Sequence, residues 1–475
     1  MAIIDLIIFL VYMVVMLGVG VYFMKNNKGQ DDYYVGGRNI GSWHIGLSVV
    51  ATDVGGGFSV GLGGLGFAMG LSGSWMLFTG LLGAWLAAVY LIPIVRSTPQ
   101  FRHFYTLPQI VTYLFDRKVG VVAAVICFIG YLGFTSSQLL AGAKLASGTF
   151  PELDLQVALV IMGVIAVVYT VMGGLKAVIY TDTIQWIILL LGFIFIGLPI
   201  SYFHVGGWQV IRDTLPTAFF SLNNLRWQDL ANWGITILPI WFVGMTLYQR
   251  IFASRDVASA KKAWYIAGFF EWPIMAFMGV SLGLLARVAF EQGRIAVDSE
   301  ILDPEMGLPI LLSTILPAGI MGLMMSAYFS AVLSTADSCL MAASGNLTTD
   351  IFGRWMKSLS EKVVMRMSQL FTLLIGVLAL SIALQMTNVL ELMLYSYAFM
   401  VSGLLVPIVA GLFWKMRSPS AALSAMLLGG GLTAGLSVAD VPLPFQLDPN
   451  FFGVFASLAA FLLVYRVEKF KKQNN

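Results

Sequence analysis

Long apolar segments recur along the chain from residue 3 to residue 466 and leave little room between them. A helix needs about 20 mostly apolar residues to cross a bilayer, whereas outer-membrane barrels show short alternating segments. The composition agrees, because 59% of the residues are hydrophobic and only 11% are charged, against about 25% charged in soluble domains. The sequence therefore predicts a polytopic helical membrane protein. It excludes a soluble enzyme, a nucleic-acid binder or a disordered scaffold as an interpretation of the whole chain.

Thirteen segments are long enough to be transmembrane helices, and a shorter apolar stretch at 307–316 predicts an interfacial helix. The predicted spans are residues 3–24, 42–69, 72–95, 119–147, 155–172, 180–203, 231–251, 263–288, 318–346, 364–386, 389–413, 419–438 and 449–466.

The basic residues predict the orientation of these spans. If the N-terminus faces outward, most of the 27 Lys and Arg residues fall in loops on the inner side, as the positive-inside rule requires. We therefore predict a multi-pass plasma-membrane protein, with the bacterial inner membrane as the expected location and the C-terminus in the cytoplasm. Because these basic residues follow the loops of one side, we expect no nucleic-acid partner. We do expect contact with membrane lipid.

Residues 51–57 (Ala-Thr-Asp-Val-Gly-Gly-Gly) lie near the middle of the second span. Each glycine weakens a helix interior by roughly 1 kcal/mol, and Asp53 is costly at membrane depth. Irregular backbone is tolerated in a membrane where it lines a cavity, and its carbonyl groups can then bind cations. The pattern favours a functional break in the helix over simple close packing through small residues.

Residues 233–244, with Pro239 at their centre, predict a second interrupted helix five spans later. Since five is an odd number, two five-helix halves would have opposite orientations, which is typical of inverted-repeat transporters. A lone proline kink is the alternative. We expect one transporter domain over residues 1–475. It would comprise an extra helix at 3–24, repeats at 42–203 and 231–413, and extra helices within 419–466.

Residues 331–338 (Ala-Val-Leu-Ser-Thr-Ala-Asp-Ser) place polar groups inside the ninth span. Ser334, Thr335 and Ser338 share one helical face, with Asp337 at its edge. Hydroxyl groups at this spacing could join carbonyl oxygens of a broken helix around a hard cation such as sodium. Hydrogen bonding to the preceding turn is the alternative, but an intramembrane carboxylate favours a functional site.

Three other charged residues lie in or beside spans. Asp182 at the start of the sixth span is equally consistent with a helix N-cap and an ion ligand. Glu271 and Lys144 could line a transport pathway or be structural, and Lys144 could extend to the outer interface.

At these residues the chain resembles the sodium/solute symporter family, which includes sodium/galactose, sodium/proline, sialic acid and choline transporters. Four blocks carry the resemblance: residues 35–38 leading to 51–54; residues 173–178 with Thr181, Asp182 and Gln185; residues 249–250; and residues 331–335 with Ser338. The resemblance implies an all-α fold of thirteen transmembrane helices, with a five-plus-five inverted repeat of LeuT type and two discontinuous helices. It also implies a sodium-coupled symporter, not an enzyme, that imports a small organic solute by alternating access. A proton-coupled symporter of the same fold is the alternative, and a channel is less favoured.

The resemblance also implies where ligands bind. A main sodium site would use backbone oxygens of Ala51, Val54 and Ala331 and the hydroxyls of Ser334 and Thr335. A second sodium is compatible with Asp182, Asp337 and Ser338. The solute would contact residues near the broken helices: Gly56, Gly57, Phe58, Ser74, Trp75, Phe134, Gln138, Trp241, Thr246 and Tyr397. Choline is a less favoured solute, because Asp53 replaces a tryptophan of the cation cage in choline transporters.

Overall fold

The structure is a computed structural model that describes residues 3–26, 30–150, 152–295, 303–356, 358–439 and 441–474. This part of the chain is almost entirely helical and contains no β-strand, only an isolated bridge between Ile40 and Ser254. The prediction of an all-helical protein is therefore confirmed.

The helices of the first half are α1 (Ile3–Asn26), α2 (Gln30–Val35), α3 (Ser42–Met69), α4 (Trp75–Leu86), α5 (Ile92–Ser97), α6 (Leu107–Leu114), α7 (Arg117–Thr149), α8 (Leu155–Gly192) and α9 (Leu198–His204). Turns of π-helix at Ala87–Leu91 and Phe193–Gly197 join α4 to α5 and α8 to α9. Short 3₁₀ turns lie at Gly36–Arg38, Gly70–Ser74 and Pro99–His103.

The helices of the second half are α10 (Gly207–Thr214), α11 (Trp227–Val243), α12 (Met245–Ala253), α13 (Val257–Phe269), α14 (Ala276–Glu291), α15 (Pro304–Ile315), α16 (Ile320–Gly345), α17 (Gly353–Met356), α18 (Glu361–Ala383), α19 (Val389–Leu412), α20 (Pro419–Ala439) and α21 (Pro449–Asn474). A π-helical segment at Phe270–Met275 joins α13 to α14, and another at Asn346–Ile351 follows α16. Further 3₁₀ turns lie at Thr217–Phe220 and Pro444–Gln446.

Within the described residues, 10 helical segments are long and apolar enough to cross a membrane, or up to 11 if the bent pair α11 and α12 counts as one span. The chain is therefore a multi-pass membrane protein by the length and hydropathy of its helices. Several bounds agree closely with the sequence, since α3 covers the predicted span 42–69 and α19 the predicted span 389–413. The total of thirteen spans stays a prediction.

Helix α8 bends sharply where two separate spans were predicted. Its hydrogen-bonded stretch runs through the expected boundary between residues 172 and 180. The hydroxyl oxygens of Tyr169 and Thr181 nevertheless lie 3.4 Å apart, although 12 residues separate them in sequence. Twelve residues of straight α-helix would rise about 18 Å. The bend therefore brings both arms of α8 against α16: Thr170, before the bend, contacts Asp337, and Asp182, after it, contacts Ser334.

The core of the molecule surrounds α16, which packs against α3, α7, α8 and α18. Nearly every side chain from Met321 to Gly345 is buried, and a helix that is apolar on most of its circumference needs such complete enclosure. The short helix predicted at 307–316 is present as α15. It packs against α3, α7 and α14, with Leu308, Leu311 and Leu312 buried.

Candidate functional site

Helix α3 departs from helical geometry at Gly55, inside the segment where the sequence predicts a break. Gly55 has φ 26° and ψ −165°, a region that is accessible to glycine and strained for other residues. A Cβ atom at Gly55 would overlap the Thr335 hydroxyl, and one at Gly56 would overlap the side chain of Val332. The two glycines therefore permit the irregular turn and let α3 lie directly against α16.

Three of the five residues expected in the main sodium site meet at this contact. The Thr335 hydroxyl oxygen lies 2.9 Å from the carbonyl oxygen of Ala51 and 3.3 Å from that of Ala331. Val54 is completely buried one turn beyond Ala51 on α3. The fifth residue, Ser334, is buried beside Thr335 and directs its hydroxyl proton to Asp182. The contact thus gathers neutral oxygen atoms of the kind that bind hard cations.

Asp182 is fully buried on α8 and joins α3 to α16 through hydrogen bonds. Its Oδ2 atom accepts a hydrogen bond from Ser48 of α3, and its Oδ1 atom accepts one from Ser334 of α16. Asp182 lies well inside helix α8, so the interpretation of this residue as an N-cap is wrong. Its carboxylate therefore contacts α3 and α16, the same two helices whose oxygen atoms meet around Thr335.

Arg250 on α12 provides the counter-charge for Asp182. The sequence distinguished it only as part of residues 249–250, one of the blocks that carry the resemblance, and gave it no role. Its Nη2 atom lies 3.6 Å from Asp182 Oδ2, and both side chains are completely buried. The same nitrogen donates hydrogen bonds to the hydroxyls of Thr52 and Ser338, the latter at 2.8 Å. Residues 249–250 closely follow the interrupted helix predicted at 233–244, which could have indicated a role at the site. The sequence alone does not give the direction of the Arg250 side chain.

Asp337 lies apart from the Arg250 contacts. Its Oδ1 atom accepts a hydrogen bond from Thr170, and its Oδ2 atom has no hydrogen-bond partner among the residues described. Of the residues expected in a second sodium site, Asp182 and Ser338 therefore both contact Arg250. Asp337 instead contacts Thr170, in the part of α8 that precedes the bend.

Phe134 and Tyr397, expected to contact the solute, lie together between α7 and α19. Their rings pack edge to face with centroids 4.9 Å apart, and Tyr397 donates a hydrogen bond of 3.2 Å to Asp53 Oδ1. Gln138 is buried one turn further along α7 from Phe134. Tyr397, with Phe134 packed against it, therefore lies on the side of α3 that carries Asp53.

Other expected solute contacts are distributed around this pair. Thr246 of α12 is buried and lies 3.1 Å from the Tyr131 hydroxyl, beside the Arg250 contacts. Trp241 is fully buried against Gly83 and Trp264, at the interface of α4, α11 and α13. These two residues therefore have different surroundings, Thr246 beside Arg250 and Trp241 between α4, α11 and α13.

Two of the remaining expected contacts lie beyond the C-terminal end of α3, and two lie within the helix. Ser74 is buried in the 3₁₀ turn after α3, whereas the Trp75 indole donates a hydrogen bond to the Leu222 carbonyl of the loop before α11. Gly57 and Phe58 belong to the α3 backbone, but their side-chain environments lie outside the described part of the structure.

Glu271 is fully buried in the π-helical segment between α13 and α14. Its carboxyl group interacts electrostatically with Asp53 of α3, and neither of its oxygens has a hydrogen-bond partner among the residues described. A Cβ atom at Gly80 of α4 would overlap Glu271 Oε2. The sequence indicated that both acids lie within spans, but not that three helical elements bring them together.

Lys144 is 1% exposed, so the interpretation that it extends to the outer interface is wrong. Its Nζ atom forms ion pairs of 2.6 Å with both Asp303 and Glu305 at the start of α15. Glu305 also accepts hydrogen bonds from the backbone amides of Val389 and Leu390 at the start of α19. Lys144 therefore connects α7, α15 and α19.

Comparisons with known proteins give one family and several similar transporters. Residues 33–429 match the model of the sodium:solute symporter family. The chain is 28% identical over 443 residues to the high-affinity proline transporter of Bacillus subtilis, covering 89% of this chain and 91% of that one. It is 25% identical over 483 residues to the sodium/glucose cotransporter of Vibrio parahaemolyticus, covering 93% and 87%.

Solved structures share the fold. A Na⁺-coupled sialic acid symporter in a substrate-bound, outward-open state matches with a TM-score of 0.80 and 22% identity, covering 98% of each chain. A nucleobase-cation-symport-1 family transporter in a closed conformation matches with a TM-score of 0.59 and 14% identity, covering 92% of this chain and 94% of that one.

Proposed function

The chain belongs to the sodium:solute symporter family, and on that premise we propose that it is a sodium-coupled symporter that imports a small organic solute. The family and the relatives compared are transporters, and the chain is not an enzyme. The relatives are named for solutes as different as proline and glucose. We therefore propose the coupling ion and a small organic solute, and we do not assign a single compound as the solute.

The observation that carries the proposal is the position of Thr335. Its hydroxyl oxygen lies within 3.3 Å of the carbonyl oxygens of both Ala51 and Ala331. We propose that sodium binds here, with further ligands from the Val54 carbonyl and the Ser334 hydroxyl. Ser334 can still coordinate the ion while it donates to Asp182, because a hydroxyl keeps its lone pairs when its proton is donated.

Arg250 limits the number of sodium ions that this conformation accommodates. Its guanidinium already supplies positive charge to Asp182 and a hydrogen bond to Ser338. A second cation at these residues would be repelled unless Arg250 moved away. We therefore propose one sodium at the main site, with a second at Asp182, Ser338 and Asp337 only in a conformation in which Arg250 has withdrawn.

We propose alternating access in a LeuT-type fold of thirteen spans. The repeats would cover residues 42–203 and 231–413, within a single domain whose N-terminus is outside and whose C-terminus is in the cytoplasm. Sodium would hold α3 and α16 together and stabilise the state that binds solute from outside. Each sodium ion that crosses about 100 mV gains roughly 2.3 kcal/mol, and a tenfold gradient adds about 1.4 kcal/mol. One ion could therefore sustain a solute gradient of roughly several hundredfold.

A proton-coupled symporter is the second candidate. The observation that favours it is Asp337, which is completely buried with one oxygen unpartnered among the described residues. Such a carboxyl group inside a membrane is a candidate proton carrier.

Two measurements distinguish the candidates. Purified protein should unfold at a higher temperature in NaCl than in KCl of equal ionic strength, because an ion that binds the folded state stabilises it. In proteoliposomes, a sodium gradient at constant pH should drive solute uptake. Uptake driven by a pH gradient in the absence of sodium, with no sodium effect on unfolding, would establish the proton-coupled alternative instead.

A further inference from the structure

Helix α1 lies outside both proposed repeats, yet it packs against α8 and α16. Near its N-terminal end, Asp5 is 2% exposed, and its Oδ1 atom accepts hydrogen bonds of 2.7 and 2.8 Å from the backbone amides of Gly319 and Gly322. Amide groups at the start of a helix have no partner within the helix itself, and a carboxylate satisfies them well. The start of α16 is therefore fastened to α1.

A second contact joins α1 to α16 and α8 close to the proposed sodium ligands. The buried Ser330 hydroxyl of α16 donates a hydrogen bond to the phenol oxygen of Tyr12. The side-chain amide of Gln185 on α8 donates one of 3.6 Å to the sulfur of Met16. Tyr12 and Met16 lie four residues apart, on one face of α1. This face of α1 therefore bridges α16 and the part of α8 that follows the bend.

The bridge lies one helical turn from the contact between Asp182 and Ser334. Ser330 precedes Ser334 by four residues on α16, and Gln185 follows Asp182 by three residues on α8. Residues at these spacings are neighbours on one side of a helix. Helix α1 therefore joins the same two helices one turn away from the hydrogen bond that Ser334 donates to Asp182.

Helix α1 also crosses the bend in α8. The ring of Phe23 stacks on that of Tyr180, in the second arm of α8, with centroids 5.9 Å apart. A Cβ atom at Gly20 would lie 3.5 Å from the ring of Tyr169, in the first arm. Helix α1 thus contacts both arms of α8 as well as α16, and these elements carry Asp182 and Ser334.

We propose that Tyr12 is a positioning residue of the sodium site, which it influences through Ser330. Ser330 immediately precedes Ala331, whose carbonyl oxygen is a proposed ligand, and it lies one turn from Ser334, which is another. Groups behind the ligands of an ion hold those ligands in place and thereby set the affinity of the site. This inference rests on the proposed sodium coupling, because it assumes that the ion binds between α3 and α16.

The test compares sodium affinity with stability in the absence of sodium. Tyr12→Phe removes the hydroxyl and keeps the ring. The sodium concentration for half-maximal thermal stabilisation is measured in mixtures of NaCl and KCl at constant ionic strength, and the free energy of unfolding in KCl is measured by chemical denaturation. We expect this sodium concentration to rise roughly threefold to tenfold, as the loss of one hydrogen bond can produce.

Two control variants separate positioning from packing. Asp5→Ala removes the hydrogen bonds of α1 to Gly319 and Gly322, and Gly322 lies nine residues before Ala331, or about 13 Å of helical rise. This variant should lower the free energy of unfolding in KCl and leave the sodium concentration for half-maximal stabilisation unchanged. Tyr90→Phe, at a tyrosine that is 56% exposed after α4, should change neither quantity.

Ser330→Ala removes the same hydrogen bond from the other side. It should raise the sodium concentration by the same factor as Tyr12→Phe, and the double variant should show no further rise. If Tyr12→Phe fails to fold, Ser330→Ala decides alone.

The proposal is overturned if these variants keep the sodium dependence of the wild type, whatever stability they lose in KCl. It is equally overturned if the two single effects add in the double variant. A wild-type protein that does not respond to sodium at all would instead overturn the proposed sodium coupling.

Discussion

The guanidinium group of Arg250 lies 3.6 Å from the carboxylate of Asp182, and water reaches neither side chain. This contact joins α12 to α8. Ser48 of α3 and Ser334 of α16 donate hydrogen bonds to the same carboxylate. Four helices from both predicted repeats therefore meet at one charge pair, directly beside the oxygen cluster proposed for sodium.

Removal of either charge should destabilise the fold strongly. Arg250→Met would leave the Asp182 carboxylate buried without a counter-ion, and Asp182→Asn would leave the guanidinium unpaired. Breaking a buried pair typically costs about 3–5 kcal/mol, and we expect each single variant to lose free energy of unfolding on that scale. Chemical denaturation of the purified variants measures the loss.

The double variant provides the control for this prediction. Arg250→Met combined with Asp182→Leu removes both charges, so it should be more stable than the sum of the single losses predicts. Single losses below about 1 kcal/mol, as for an exposed ion pair, would contradict the structural assignment.

Thr335 should control sodium affinity. Thr335→Val keeps the branched shape but removes the hydroxyl that lies between the Ala51 and Ala331 carbonyl oxygens. We expect the sodium concentration for half-maximal thermal stabilisation to rise about tenfold or more, which corresponds to about 1.4 kcal/mol. Thr335→Ser retains the hydroxyl and should respond nearly as the wild type does. A Val variant with unchanged sodium dependence would place the ion elsewhere.

Gly55 should be intolerant of a side chain. Gly55→Ala must adopt φ 26° and place its Cβ atom against the Thr335 hydroxyl. The backbone strain alone costs about 1–3 kcal/mol, so we expect a lower unfolding temperature and a diminished sodium response. Gly431→Ala in α20 is the matched control, because a Cβ atom there meets no atom within 4 Å. That variant should be as stable as the wild type or slightly more stable. Equal behaviour of the two variants would refute the role given to Gly55.

Sequence periodicity and hydropathy predicted most of the helices because these properties depend on local residues. The apolar length of residues 42–69 and 389–413 fixed the extents of α3 and α19 almost completely. The glycines at 55–57 and the hydroxyls at 334–338 also indicated where an irregular backbone and a buried cluster of hydroxyl groups would occur. A local pattern suffices for such features, since glycine conformation and helical spacing are properties of the segment itself.

The direction of long charged side chains could not be read from the sequence. Arg250 and Lys144 look alike in sequence, as single basic residues in or beside apolar helices, yet each reaches a different buried carboxylate. Their partners, Asp182 and Glu305, are 68 and 161 residues away in the chain. The bend in α8 also depends on packing, because its two arms are held by contacts with α16. Only tertiary structure determines these relationships.

Lys144 should be essential to the junction of α7, α15 and α19. Its ammonium group contacts Asp303 and Glu305 at 2.6 Å, while Glu305 also caps two backbone amides of α19. Lys144→Met would leave two carboxylates close together without their cation, and both like-charge repulsion and desolvation would then oppose folding. We expect a loss of about 3–5 kcal/mol in the free energy of unfolding.

The exposed Lys262 provides a matched control in α13. Lys262→Met removes the same charge at the surface and should change the free energy of unfolding by less than about 0.5 kcal/mol. Combining Lys144→Met with Glu305→Gln should recover part of the stability, because an amide no longer requires a cation and can still accept from one backbone amide of α19. If Lys144→Met were as mild as Lys262→Met in denaturation experiments, the three helices would have to be held together by apolar packing alone. The buried charges would then contribute nothing measurable to their junction.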